Sequence, residues 1–588
     1  MNKALVIAGL AIIQASVAAA EPGADEAFAT IAGRYLDEVA VRSPVAATAL
    51  GDHRADDRLD DVGPAARART RNLFLEYREM LASIDRDELS RGNQVDAALL
   101  HNEIESNLFE LDTLEEWAWN PLYYVRLSGN AIYGLLSRDF APLEQRLDNA
   151  ASRLAQLPRF FYQARESLRP ERVPEIHAET AIAQNRGLLT IIDWMVVPLM
   201  EEASPETRAR LETAIETARE AIDEQQAWLE QELLPQANGD FRIGARLYDR
   251  KLAFALNSSL SRKEIRALAE REYEFVRNEM YEIAKQVYLG LHPYTAFPDN
   301  PDEAYKQAII RAALEEAYRE LPSRDEIVEI ARRYLQQASD FVIDNDIVTM
   351  PEEPVEIIVM PEFQRGIALA YLSPPGPLDR DQKAFYAVAP LPSDWTETQV
   401  ESFLREYNLY SIQNLTIHEA VPGHYLQLAL SNRYPSILRS ALWSGPFVEG
   451  WAVYAERVMI EQGYLDHNPL MRLINRKWYL RAVTNAIIDS AIHVDGMTQA
   501  EAMKLMVEGG FQEEREAAGK WVRAQLSSAQ LSTYFIGYQE HAALREDAEA
   551  AWGDEFTLRR YHDQVLSYGS PPVRFARALM LDEAIPED

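Results

Sequence analysis

Pro142-Leu-Glu-Gln-Arg-Leu-Asp-Asn-Ala-Ala-Ser-Arg-Leu-Ala-Gln-Leu157 is the stretch from which the fold class is read. Leu143, Leu147, Ala150, Ala151 and Leu154 recur at spacings of three and four, so they share one helix face, and Pro142 suits a first turn. A helix of this pattern buries its apolar face against neighbours. The same pattern extends outward, helix after helix, from Asp25 to about Leu234. It covers Pro205 to Leu233 and then Arg262 to Leu289, where charge pairs four apart suit a solvated face. The chain is therefore expected to be mainly α.

One region departs from the helical period. Val355-Glu-Ile-Ile-Val-Met360, Ile367-Ala-Leu-Ala-Tyr-Leu372 and Ala384-Phe-Tyr-Ala-Val388 are short, rich in β-branched or aromatic residues, and separated by turns such as Ser373-Pro-Pro-Gly376. They predict a small antiparallel sheet at about 355–390. After Trp395 the helical pattern resumes with a run from Glu397 to Leu415 and continues nearly to the C-terminus. Closely spaced turns at His292-Pro293, Phe297-Pro298 and Asn300-Pro301 mark a loop, and no internal repeat is visible. A boundary near residue 240 would separate an N-terminal helical region, 21–240, from a C-terminal region, 241–588, that holds the sheet.

Composition narrows the function. The 588 residues include 59 Lys and Arg against 93 Asp and Glu, a formal charge of −34, with 10 His and no Cys. Phosphate contacts need clustered basic residues, so nucleic-acid binding is not expected. Without Cys there is no disulfide, thiolate zinc site or cysteine nucleophile, and any transition metal must be held by His and carboxylate. Lys3, the apolar run Ala4 to Ile13 and the small-residue exit Ala18-Ala19-Ala20 read as an export leader cleaved near Ala20. The expected product is exported, periplasmic or secreted. It has no stable membrane insertion, and with no Cys to acylate a lipoprotein is not expected. The oligomeric state stays open.

The strongest chemical signal is Thr416-Ile-His-Glu-Ala-Val-Pro-Gly-His424. A His-Glu pair followed by a second His is a common way to hold zinc beside a general base. Here His418 and His424 are six apart, so on an ideal helix they would diverge by about 240°. A shared metal requires the helix to distort at Pro422-Gly423. The alternative is a helix C-terminus capped by His424. In Phe447-Val-Glu-Gly-Trp-Ala-Val-Tyr-Ala-Glu456, Glu449 and Glu456 are seven apart and lie within about 20° of one helix face, among aromatic neighbours. Buried carboxylates there need a cation or donors. A solvated edge paired with Arg457 is the competing reading. Six of the ten His fall after residue 400. Among them, His493 can meet Asp489 on one helical face, either to orient a ligand or to bind substrate, or as a structural pair.

Assembled, these residues resemble the bacterial family called domain of unknown function 885, whose members look like distant relatives of zinc peptidases. The resemblance rests on His418-Glu-Ala-Val-Pro-Gly-His424, Glu449-Gly-Trp-Ala-Val-Tyr-Ala-Glu456, Arg481 with Asp489 and His493, Gln530-Leu-Ser-Thr-Tyr-Phe-Ile-Gly537 and Tyr561-His-Asp-Gln-Val-Leu566, which contains His562. Pro44-Val-Ala-Ala-Thr-Ala-Leu-Gly51, Asn120-Pro121 and Phe140-Ala-Pro142 carry it into the N-terminal half. It implies a large multi-helix, zincin-like (neurolysin-like) fold with the sheet beside the active-site helix, binding one Zn²⁺ per chain through His418, His424 and Glu449. Phe535 stands where relatives often carry Lys, so that Lys has no counterpart here.

The implied activity is hydrolysis of peptides by metal-activated water. Glu419 would serve as general base and Tyr534 as oxyanion donor, since a phenol keeps its proton at neutral pH. Glu456, Arg481, Asp489, His493 and His562 would support the ligands or bind substrate, with Arg481 a candidate carboxylate anchor. Two alternatives compete. A non-catalytic exported peptide-binding protein would have no need of Glu419. A glycosidase working on Glu449 and Glu456 would have to bring together carboxylates ~10 Å apart along the helix axis.

Overall fold

The computed structural model describes residues 23–360, 369–379, 382–392 and 395–587. The proposed leader, and Ile367 and Ala368 of the expected second strand, lie outside the described residues. The rest is mainly helical with one three-stranded sheet. Among the described residues no helix is long and apolar enough to cross a membrane.

The opening stretch forms the helix Leu143–Ala155, with Pro142 as its N-cap residue. Leu147, Ala150, Ala151 and Leu154 are buried in an N-terminal core that includes Leu211, Ala214 and Ala218 of the helix Pro205–Trp228. Each such Leu contributes ~1.5–3 kcal/mol by leaving water. Its polar face is not wholly solvated. Arg153 is fully buried, donating to the carbonyls of Arg58 and Ala131 at 2.8 Å and to the Thr48 hydroxyl at 2.7 Å, with Asp56 3.7 Å away. Arg439, also buried, binds Asp96 at 2.6 Å and the carbonyls of Gly92 and Tyr568 at 2.8 Å, fastening the N-terminal helix Arg91–Phe109 to the C-terminal region.

The sheet comprises β1 (Val355–Val359), β2 (Ala370–Ser373) and β3 (Ala384–Val388) in the order β1-β3-β2. It is mixed, which corrects the antiparallel expectation: β2 runs antiparallel to β3, but β1 runs parallel to it. Alternation and β-branching mark strands without specifying partners. Here the third strand inserts between the first two, and among the described residues that leaves the other edge of β2 without a strand partner. The run from Glu397 to Leu415 is likewise two helices, because Glu397–Glu406 stops at Tyr407 and Asn408 caps a new one, Leu409–Glu419. This second helix, the His-Glu helix, packs against β2 and against the carboxylate helix, Gly445–Glu461.

Candidate metal centre

The His-Glu helix starts on Asn408, whose side chain accepts from the N–H groups of Tyr410 and Ser411. It ends at Glu419, beyond which Ala420 leaves helical geometry (φ −121°, ψ −86°). The Gly423 N–H then donates back to the Ile417 carbonyl at 3.0 Å. The chain passes so close to the helix end that a Cβ at position 423 would stand 1.9 Å from the His418 carbonyl oxygen, so only glycine fits. His424 opens the next helix, His424–Ser431. This break removes the divergence of a continuous helix: the two imidazoles meet with ring centroids 4.7 Å apart and planes at 83°. Trp451 of the carboxylate helix donates its indole N–H to the Pro422 carbonyl at 2.8 Å, fixing the break from the other side.

The carboxylate helix starts from Ser444, with Pro446 in its first turn, and turns Glu449 and Glu456 toward the two imidazoles. Glu449 Oε2 lies 3.4 Å from His424 Nε2 and 3.8 Å from His418 Nε2. One ligand atom from each of His418, His424 and Glu449 falls within 4.8 Å of the others, a group that can hold a metal ion. Donors at ~2.0–2.2 Å around a tetrahedral zinc sit ~3.3–3.6 Å apart; the 3.4 Å pair falls in that range, the 3.8 Å pair is slightly wider, and the donor types are those such an ion takes. Glu456 takes a different part. Its Oε1 is 2.7 Å from His418 Nδ1, and its Oε2 accepts from Asn414 at 2.6 Å, whose own carbonyl oxygen accepts from Asn475 at 3.0 Å. With Nδ1 turned to Glu456, Nε2 is the His418 atom that faces Glu449 and His424.

The electrostatics follow from crowding. Burial would push His418 down, but its bonds to Glu449 and Glu456 outweigh burial and hold it up at about 10. Burial would raise Glu449, and the two imidazoles reverse that, keeping it well below the usual carboxylate range. Glu419 is raised by burial and further by the Glu449 charge, against the opposing pull of His424 and His418. It is held at the free edge of β2, where the Leu372 N–H donates to its Oε2 at 2.9 Å.

Tyr534 stands near Glu449 because two helices touch backbone to backbone. The carboxylate helix and the helix Thr533–Trp552 cross at Gly450 and Gly537, where a Cβ on Gly450 would meet the Gly537 carbonyl carbon at 2.2 Å. Burial, then the Glu449 charge, raise the Tyr534 phenol. Its oxygen accepts from Arg523 at 3.2 Å, which leaves the phenolic hydrogen free to donate.

The remaining sequence candidates lie elsewhere. Arg481 is spent on ion pairs with Glu516 and Glu406 and stacks over Trp478. Asp489 accepts from the N–H groups of Ala529 and Ser532 and from the Ser532 hydroxyl, while His493 Nε2 lies within 2.9 Å of the Ala524 and Ser527 carbonyls. Together they brace the segment leading into Tyr534. His562 is buried behind the carboxylate helix, bonded to the Tyr454 hydroxyl at 2.9 Å and the Ile347 carbonyl at 2.7 Å. Sequence reasoning missed Asn414, Asn475, the Leu372 N–H and Arg523. Nothing in local spacing marks them. Only Gly450 and Gly537, glycines inside otherwise good helices, hinted at a close helix crossing.

Comparison with known proteins agrees in fold. The family described as bacterial protein of unknown function (DUF885) matches residues 44–580. A solved structure described as "a putative lipoprotein of unknown function from Shewanella oneidensis" is similar at 33% identity and TM-score 0.79, covering 94% of this chain and 99% of that one. A second, described as "the putative lipoprotein from Colwellia psychrerythraea", is 19% identical with TM-score 0.76, covers 95% of this chain and 99% of its own, and shows the fold alone. No curated protein matches.

Proposed function

The chain belongs to the bacterial family of unknown function DUF885, and from that premise we propose that it is an exported zinc-dependent peptidase of zincin-like, neurolysin-type architecture. The observation that carries this reading is the convergence of His418, His424 and Glu449, with Glu419 beside them at the open edge of a strand. Zinc held by those three residues supplies Lewis acidity, lowering the pKa of a water toward ~7 and polarising a carbonyl. The chain's own groups do the rest.

The free edge of β2 offers backbone partners to an extended peptide, and Ala370 shares its outward parity with Leu372. Glu419, raised by burial, is suited to take a proton from the attacking water and pass it to the leaving amine. Tyr534 keeps its proton at neutral pH and can donate it to the developing oxyanion. Glu456 fixes the His418 tautomer and ring orientation. The export part of the reading is supported by the leader-like N-terminus and by similarity to proteins described as putative lipoproteins, although this chain has no Cys to carry a lipid.

Metal analysis of the purified protein, with peptide hydrolysis assayed for wild type and Glu419→Gln, tests the reading. The expected result is one zinc per chain in both proteins and turnover in the wild type alone. A metal-free protein that hydrolyses peptides in chelator overturns it, as does peptide binding without turnover in zinc-replete buffer.

A further inference from the structure

The helix His424–Ser431 opens on one of the two imidazoles of the metal centre and then presents a different face. Its Tyr425, Leu428 and Ala429, with Asn432 just beyond it, follow at spacings of three and four and share one side. That side borders a hollow of about 260 Å³, whose other walls include Leu372 of β2 and the turn Pro374-Pro-Gly-Pro377. Leu372, Leu428 and Ala429 are each half-buried. Leu372 belongs to both places: its N–H donates to Glu419 at 2.9 Å, and the residue lines the hollow.

The turn is held from the N-terminal half of the chain. Three prolines restrict its backbone to φ of about −65°. Arg138 donates to the carbonyls of Ser373 at 2.6 Å and Pro374 at 2.9 Å, and the Leu378 N–H donates to the Leu50 carbonyl at 3.0 Å. At Gly376 the backbones run so close that a Cβ would stand 2.5 Å from the Leu50 carbonyl carbon. The segment Pro44 to Gly51, which no step of the chemistry uses, thus fixes one wall of the hollow. The charged groups that line it are already matched, Glu353 by Arg433 at 2.7 Å and Asp379 by His53 at 3.1 Å. The Tyr425 hydroxyl is spent on the Glu353 carbonyl and the Gln382 amide on the Asp139 carbonyl. What the walls chiefly offer an incoming group is apolar surface.

We propose that this hollow is a subsite that takes one apolar side chain, such as Leu or Phe, from a peptide residue close to the scissile bond. This rests on the peptidase reading above and names its substrate class. A peptide extended along the outer edge of β2 turns alternate side chains to opposite faces of the sheet, and one of those faces is the side on which Leu372 meets the hollow. The volume lies below the ~300–1,000 Å³ of pockets that take a whole small ligand, and it suits a single side chain. A charged side chain would lose its hydration there and find the matching charges already paired.

Because the chain has no Cys, one introduced thiol reports on one place. In zinc-loaded Glu419→Gln protein, Ala429→Cys sets that thiol in the wall of the hollow, and Tyr294→Cys sets it on a fully exposed turn. Alkylation by iodoacetamide is followed while an alanine hexapeptide is changed, one position at a time, to Leu, Phe, Asp or Lys. At one position Leu or Phe is expected to protect the first thiol at concentrations at least tenfold below those needed with Asp or Lys, while the second reacts at an unchanged rate. In the wild type kcat/KM should follow the same order, and Ala429→Leu, which fills the hollow, should erase it. No protection by any peptide, equal protection by apolar and charged peptides, protection of both thiols, or an order that survives Ala429→Leu overturns the subsite. The two readings fail separately. Selective protection without turnover in the zinc-replete wild type strikes the peptidase reading, whereas turnover without protection strikes the subsite.

Discussion

Two imidazole–carboxylate groups sit on helices packed against one another and come to opposite ends. At His418, His424 and Glu449 the Nε2 atoms and one carboxylate oxygen face each other, and no described backbone N–H is bonded to Glu449. At His493 and Asp489, backbone groups occupy both carboxylate oxygens and the Nε2 of the imidazole. Both pairs contain the residue types that ligate metals. The difference is which lone pairs remain after the backbone has taken its share, and that depends on the surrounding chain ends: Ala420–Gly423 folds away from the first cluster, while Ala524–Ser532 closes over the second.

The largest test of that contrast is metal content. Glu449→Gln is expected to abolish stoichiometric zinc and activity together, whereas Asp489→Asn should retain one zinc per chain, both read by elemental analysis. Zinc lost from the Asp489 variant alone would reverse the assignment. Next, Tyr534→Phe should keep its zinc and its KM but lose ~10²–10³ in kcat, the usual cost of one oxyanion donor. Glu456→Gln should weaken zinc by ~10–100-fold in chelator competition, because Glu456 acts through the His418 ring rather than on the ion. For Asp489→Asn the effect moves to stability, with a loss of ~2–3 kcal/mol expected in denaturant unfolding, since an amide repels some of the N–H donors that a carboxylate accepts.

The smallest effect belongs to imidazoles with no carboxylate at all. Burial pushes His541 down to about 4 and His562 down to about 3. Unfolded, each titrates near ~6.5. The unfolded chain therefore binds protons that the folded chain refuses, and their contribution to stability is present above pH ~6.5 and is lost as pH falls toward 3 to 4. Urea midpoints measured across that range should fall with pH, and less steeply for His541→Gln. An unchanged slope would mean that these rings are not held neutral.

Much of this was legible in the chain. The recurrence of Leu147, Ala150, Ala151 and Leu154 marked a buried helix face, because helical periodicity needs only local spacing. The strand segments were legible for the same reason, but their order was not, since pairing is a contact between segments distant in sequence. Pro422-Gly423 signalled a break between the two His without telling which way the chain would leave it. Arg481 looked like an anchor and is neutralised by Glu516, more than thirty positions away.

By itself, then, the sequence determined a mainly helical, strongly acidic, cysteine-free chain whose possible metal ligands are limited to imidazole and carboxylate. It also determined the glycines, at 423 and at the 450–537 crossing, without which the backbone could not approach as closely as it does. Only the tertiary structure decided that Glu449 joins two imidazoles while Glu456 orients one of them, and that Asp489 is consumed by backbone N–H groups. The physical reason is common to all three. Local spacing sets the direction in which a side chain leaves its helix, but its protonation, its hydrogen bonds and its free lone pairs are set by groups that folding brings from elsewhere.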